Sequence, residues 1–404
     1  MTNANAAGVY TTLDEWIKYE EIPFSLASPQ DFNAAVDQVL ASPGDGMELL
    51  GFGEALHGGE DLLVLRNQLF QRLVEAYGYR AIAIESSFPR GHLINEYVLG
   101  RGPTSYKALQ HTGFSHDFGK FEANRELVEW MRHYNADPAH HSKLQFYGFD
   151  SPTDVSADSP RQILHFVLDY LSSVEESLSQ EYRKRIDPLL GQDAAWEDPA
   201  AAFDPTQAIG GSAQATALRA ETEELISELG VRRPELVTRS NDSRYLEAIH
   251  YAVLARQLLN YHAALAQPSD NRQARLLGIR AAIMAENLAY IVSREQGRGK
   301  VMVFAHNSHL KRGKVQWQWG KETVSWWPVG AHLHQRFGRR YRVIGSAVGE
   351  SPANGIDQPE AGTLEARLIS APGPERFIPT HQGQGLRGYP NRPAARKVIK
   401  AQAR

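Results

Sequence analysis

A chain of 404 residues with 42% hydrophobic and 22% charged residues has the make-up of a globular protein of two to three domains, or of one large domain carrying an insertion, which excludes disordered, collagen-like and coiled-coil architectures. With 43 Lys and Arg against 47 Asp and Glu, the formal charge is −4, too balanced for a general nucleic-acid binder. No apolar run approaches the roughly 20 residues that cross a bilayer, and the absence of cysteine removes disulfides, thiol nucleophiles and thiolate metal sites.

The N-terminus, MTNANAAGVYTTLDEWIKYEE, shows neither a basic segment nor an apolar leader, so the expected compartment is the cytoplasm. The first short apolar run, Glu48–Gly53, reads as a buried strand. Asp61–Tyr77 follows, with Leu62, Leu69, Phe70, Leu73 and Tyr77 at helical spacing, and Ala81–Glu85 is the next strand. Phe121–Asn135 is a second helix with Leu127, Trp130, Met131 and Tyr134 on one face, and Leu144–Asp150 a third strand. Strands alternating with helices predict a mainly parallel sheet.

From Ser159 to Glu295 the pattern is helical throughout: Arg161–Leu190, Gln214–Leu229, Ser240–Ala266 and Arg272–Glu295, broken by the Gly/Asp/Ala/Pro stretch Gly191–Gly211. The strands Val301–His306 and Tyr341–Val348 then resume the sheet. Beyond Gly349 the chain is rich in Gly and Pro, with seven Lys or Arg and no acid from Arg376 onward, and reads as loop. The expected fold is therefore α/β, a mainly parallel sheet with helices on both faces plus a large all-helical insertion. Residues 1–158 and 296–349 form a discontinuous core, 159–295 the insertion and 350–404 a basic tail.

Ligands of parallel α/β sheets bind outside the carboxyl ends of the strands. Those ends carry Glu54 and His57 (GEALHGG), Glu85, Asp150, and His306 with His309 (AHNSH). Each alone could be a loop residue or a cap; their joint placement points to acid–base chemistry. Arg66 lies on the apolar stripe of its helix and Arg280 on that of Arg272–Glu295, so each is expected to meet a sheet-end carboxylate, Glu54 or Glu85 in the case of Arg66. A histidine beside a carboxylate can activate water against a carbonyl, and Arg66, Arg280 or His306 could stabilise the oxyanion. There is no G-x-S-x-G, so an acyl-serine route has no support. Gly51–Leu56 imitates a dinucleotide fingerprint but lacks its third glycine and the following ribose-binding acid.

These residues carry a resemblance. GEALHGGEDLLVLR (Gly53–Arg66), the Glu85 strand end, WMRHYN (Trp130–Asn135), GFD (Gly148–Asp150), MAEN (Met284–Asn287) and AHNSH (Ala305–His309) resemble the erythromycin esterase family in order along the chain. The resemblance implies a hydrolase of macrolide or similar lactone esters that needs no metal or other cofactor. By motif, His57 would be the general base, Glu54 and Glu85 the assisting acids, and His306 the second histidine. Arg66, Arg280, Asp150 and His309 would hold the substrate or oxyanion. The implied partner is a small natural product, with no nucleic acid, no membrane and an undetermined oligomeric state.

Two stretches depart from the family pattern. Phe114–Phe121 reads FSHDFGKF where a tryptophan-bearing segment is expected, and four of seven tryptophans, Trp317, Trp319, Trp326 and Trp327, follow His309. They could stack on a substrate, Trp326 and Trp327 foremost, or pack a core under a long loop. Three other functions fit the same residues. HGGE and HNSH with Glu85 or Asp150 could chelate zinc in a metal-dependent hydrolase; the acid–base groups could instead catalyse cyclisation or elimination; and the cleft could bind without catalysis.

Overall fold

The computed structural model describes residues 12–41, 46–153, 156–320, 322–370 and 375–379. Its strands, in chain order, are β1 (Ile22–Phe24), β2 (Leu49–Glu54), β3 (Tyr79–Ser87), β4 (Gln145–Asp150), β5 (Lys300–His306), β6 (Val315–Trp319), β7 (Glu322–Trp326), β8 (Tyr341–Gly345) and β9 (Glu375–Phe377). The five strands expected from the sequence form one parallel sheet in the order β4-β3-β5-β2-β8. Leu49 pairs with both Val301 and Tyr341, and Ala81 with both Val301 and Gln145, so all five carboxyl ends reach the same edge.

Alternation along these strands feeds two cores, because successive side chains point to opposite faces. Leu50, Phe52, Ile82, Ile84, Phe146, Met302 and Phe304 pack with the helices Glu60–Ala76 and Glu122–Ala136. Leu49, Ala81, Ala83, Phe149, Val301, Val303 and Ala305 pack with the helices of residues 159–295, so that segment shares a continuous core with the sheet. Edge strand β4 is covered by the helix Phe88–Val98. Asn95 accepts the Phe146 N–H at 2.9 Å, and a Cβ on Gly91 would stand 2.1 Å from the Gly148 nitrogen, so only glycine allows that approach.

Four expectations are corrected. Arg161–Leu190 is two helices, Arg161–Val174 and Glu176–Leu190, because Glu175 leaves the helical region at φ −156°, ψ 81° and its carboxylate is taken by Arg232 and Arg239. The tryptophan-rich loop is an antiparallel hairpin, β6 with β7. The start of the Gly/Pro-rich tail contains the helix Leu364–Ser370 and strand β9, which pairs with β1; residues 380–404, with most of its basic groups, lie outside the described residues. Finally, Arg272–Glu295 is by length and composition apolar enough to cross a bilayer, but half of its most apolar window is buried, with Met284, Leu288 and Ile291 in the core.

Two buried imidazoles make this architecture acid-sensitive. His250 stacks on Tyr290 with ring centroids 3.8 Å apart and bonds Asn287, while His262 packs on Trp196 and bonds the Asp158 carbonyl at 2.9 Å. Burial pushes both down to about 4. An unfolded histidine titrates near 6.5, so below that pH the unfolded chain binds protons that the native one refuses. The stability they confer is complete above about pH 6.5 and is lost as pH falls to about 4, roughly 3 kcal/mol for each ring. Unfolding in denaturant should show a midpoint that drops steeply between pH 7 and 4.5; a flat midpoint would contradict the assignment.

Candidate active site

Glu54 ends β2 and is 2% exposed. The chain then turns over residues 55–58, with Gly58 at φ +80°, and His57 Nδ1 lies 2.6 Å from Glu54 Oε1. The His57 side chain remains 47% exposed and its Nε2 has no hydrogen-bond partner among the described residues. Burial raises Glu54 from its ordinary value, although its bond to His57 opposes the shift. For His57, burial works against the charged ring, but the Glu54 bond and the charges of Glu85 and Glu54 outweigh it, leaving the ring raised.

Glu85 is buried in β3 and receives three donors. Its Oε1 lies 3.0 Å from His309 Nε2 and 3.2 Å from Arg280 Nη2, while Oε2 accepts the His306 backbone N–H at 2.8 Å. Burial alone would raise it; the charges of His309, His57 and Arg280 hold it well below the usual carboxylate range. Asp150, fully buried at the end of β4, accepts Arg280 Nε at 2.9 Å on Oδ1 and Nη2 on Oδ2. Burial there is outweighed by Arg280 and His116, so Asp150 is also lowered. Arg280 is thus clamped between two carboxylates, and its Nη1 keeps a free donor among the described residues.

His306 ends β5, with Nδ1 accepting the Ser308 N–H at 3.2 Å and its ring 5.2 Å from that of His57. Burial, then the charge of His57, pushes it down to about 4, so the ring is neutral at pH 7. Asn307 next to it reaches across to β8, donating to the Ser346 carbonyl at 2.7 Å. It crosses where Gly53 has no Cβ, since one there would sit 2.3 Å from Asn307 Oδ1.

The sequence-derived residues Glu54, His57, Glu85, Asp150, Arg280, His306 and His309 therefore meet at one edge. Arg66 lines a small cavity together with Glu54 and Glu85, but it does not form the expected ion pair with either. It is 1% exposed and bonds the neutral amides of Asn67 and Asn124, at 2.7 and 2.8 Å, with its guanidinium 4.8 Å from the Phe304 ring centre. No carboxylate among the described residues stands at ion-pair distance from it, and burial lowers it to about 10. The physical reason is reach: Glu54 is turned to His57 and Glu85 to Arg280, and the helix Glu122–Ala136 offers an amide at the right height instead.

The tryptophans also part company. Trp326 is 4% exposed in the core, edge-on to Trp317 at 4.8 Å, and is not available to a ligand; Trp327 is 53% exposed, with Lys314 over its ring. The Trp319 side chain lies outside the described residues. Truncating Trp326 to Ala should therefore cost about 3–5 kcal/mol of stability, the usual price of a large core side chain; an unchanged denaturation midpoint with a weakened Michaelis constant would return it to the site. Of the chelating alternative, Glu60 accepts the Ala123 N–H at 2.5 Å, and no cluster of three or more histidine and acidic side chains fit for a metal occurs among the described residues.

Sequence reasoning missed His116. Its Nε2 lies 3.2 Å from Asp150 Oδ2, and both His116 and Asp117 have φ +57°, a region that costs a non-glycine residue about 1–3 kcal/mol. Ser115 holds the strap in place, donating its N–H to Ser86 Oγ and accepting the Ser87 N–H, each at 2.9 Å. The strap has no hydrophobic period to mark it; the only trace was the departure of FSHDFGKF from the family pattern. Phe118 in the same strap lies 5.6 Å from the His57 ring and 5.4 Å from that of His116.

Fold and site together define a parallel α/β protein with a histidine–carboxylate centre at the carboxyl edge of its sheet. A family model described as erythromycin esterase matches residues 74–403, and the chain belongs to that family. The matched span starts after Glu54 and His57, whose arrangement rests on the geometry above. The chain is similar to erythromycin esterase type II of Escherichia coli, 23% identical over 341 residues covering 82% of this chain and 76% of the relative. It is similar also to the type I enzyme of Escherichia coli, 22% identical over 329 residues, 79% of this chain and 74% of the relative. Among solved structures, a Bacillus cereus protein superposes with TM-score 0.73 at 18% identity, covering 91% of this chain and 85% of its own. A histidine-to-asparagine mutant of the erythromycin esterase EreC, in an open conformation, superposes with TM-score 0.63 at 20% identity, covering 88% of each chain. These likenesses carry the fold.

Proposed function

We propose that the protein hydrolyses a carboxylic ester or lactone of a small natural product, of which a macrolide is one possible class. The observation that carries this reading is the half-exposed His57, with Nδ1 bound to buried Glu54 and Nε2 open to solvent. Glu54 accepting from Nδ1 fixes the tautomer that leaves a lone pair on Nε2, the arrangement of a general base. His57 takes a proton from water as the oxygen attacks the carbonyl. The tetrahedral oxyanion is met by Arg280 Nη1, held rigid by Glu85 and Asp150 and so needing no reorganisation. Collapse breaks the C–O bond, and the proton on His57 passes to the leaving alkoxide. The names of the Escherichia coli relatives support an ester as substrate.

The test is to screen a panel of macrocyclic lactones and simple esters by mass spectrometry. A lactone is expected to give one product heavier by a water, and an ester an acid and an alcohol whose masses sum to substrate plus water. A product of unchanged mass would favour cyclisation, and one lighter by a leaving group without added water would favour elimination. Activity should persist after exhaustive dialysis against a chelator, since an imidazole aligned by Glu54 is itself a base; loss that added zinc restores would favour the metal-dependent alternative.

A further inference from the structure

At the amino edge of the sheet, opposite the site, a cleft of about 600 Å³ opens between the starts of β3 and β4, the helix Phe88–Val98 and the last turns of Arg272–Glu295. Arg80 lines it and Glu85 belongs to the site, five residues along the same strand, which separates the two by roughly 16 Å. Five permanent cations line the cleft: Arg80, Arg101, Lys143, Arg294 and Arg298. Two of them are answered by carboxylates, Arg101 by Glu96 at 2.6 Å and Arg298 by Glu295 at 3.3 Å. The remaining lining acid, Glu247, faces His92 at 3.5 Å.

The other three cations bond only neutral groups. Arg80 Nη1 donates to the Val74 and Tyr79 carbonyls at 3.0 and 2.7 Å, Lys143 to the Asp137 carbonyl at 3.3 Å, and Arg294 to Ser243. No described carboxylate stands at ion-pair distance from any of them, in a chain whose overall charge is −4. Five cations against the carboxylates of Glu96, Glu295 and the lining Glu247 leave a surplus of two positive charges, which a concave, partly apolar cleft focuses into a positive potential. Phe88, Tyr251 and Tyr290 form its apolar wall, which keeps the local dielectric low and strengthens any anion bound there.

We propose that this cleft binds a small phosphorylated molecule carrying two or more phosphate charges. One carboxylate would answer only half of that surplus. A diphosphate or triphosphate supplies the missing charge in one ligand, with acceptor oxygens that suit guanidinium donors. The volume accommodates a molecule of nucleotide size.

The experiment is calorimetric titration of the full chain with inorganic pyrophosphate and with citrate, a carboxylate of similar charge, at fixed ionic strength. Pyrophosphate is expected to bind with one site per chain, more tightly than citrate, and more weakly as salt is raised. Arg294→Gln and Lys143→Gln should each weaken it about tenfold, while Arg219→Gln, in a different cleft, should not. Lys143 lies in the turn before β4, outside any helix, so its variant tests the cleft even where Arg294→Gln disturbs the helix. No heat at millimolar pyrophosphate, equal binding of citrate, wild-type affinity in Lys143→Gln, or an equal loss in Arg219→Gln would each overturn the proposal.

Discussion

Replacing His57 with alanine is expected to lower kcat on any ester the protein hydrolyses by at least ~100-fold, the scale of losing a general base, while the chain stays folded. The asymmetry follows from exposure. His57 sits in a turn with 47% of its side chain in water, so removing it opens no core cavity. Glu54, which loses its partner, is already raised by burial and can take up a proton instead. The measurement is steady-state kinetics beside a denaturation curve. Activity within a few-fold of wild type would move the base elsewhere at the strand ends; collapse of both activity and fold would make His57 a structural residue. With a base of this kind, the pH–rate profile of the wild type should fall on its acid side at a pH above the ordinary histidine value, since the ring is raised by Glu54 and Glu85 against the opposing effect of burial.

Glu85→Gln should do damage of a different kind. The carboxylate accepts from His306 N–H, His309 Nε2 and Arg280 Nη2 within a buried cluster, and an amide offers only one acceptor oxygen. Its NH2 must face one of those donors. Arg280 keeps its charge while losing one of the two carboxylates that balance it, and removing one partner of a buried ion pair costs about 3–5 kcal/mol. Both a loss of stability of that order and a fall in kcat comparable to that of His57→Ala are expected, because Arg280 would no longer be clamped. Glu85→Asp, which keeps the charge, should recover more stability than activity. Equal stability of Glu85→Gln and wild type would show that the cluster does not depend on this charge.

The sheet was legible because each strand is a short apolar run bounded by polar residues and separated by helical periodicity, and both signals are local. Leu49–Glu54, Tyr79–Ser87, Gln145–Asp150, Lys300–His306 and Tyr341–Gly345 fall within a few residues of their expected bounds. Parallel pairing then carries every strand end to one edge, which is why Glu54, Glu85, Asp150 and His306 could be grouped before any coordinates. The break at Glu175 was not legible. Neither Gly nor Pro marks it, and the arginines that hold it, Arg232 and Arg239, lie more than fifty residues on.

What the sequence by itself determined is the set of strands, their parallel sense and the chemical types gathered at their ends. Only the tertiary structure decided who partners whom. Arg66 carries the same charge as Arg280 and lies on an equally apolar stripe, yet one meets two amides and the other two carboxylates. Trp326 and Trp327 are neighbours in sequence, and one is core while the other is half in water, because residues next to each other at the end of a strand leave it in different directions. His116 reaches Asp150 only because two serines pin a strap with no periodicity of its own. Periodicity is a property of a dozen adjacent residues. An ion pair or a bend held by distant side chains is a property of distances across the fold, and no local pattern encodes it.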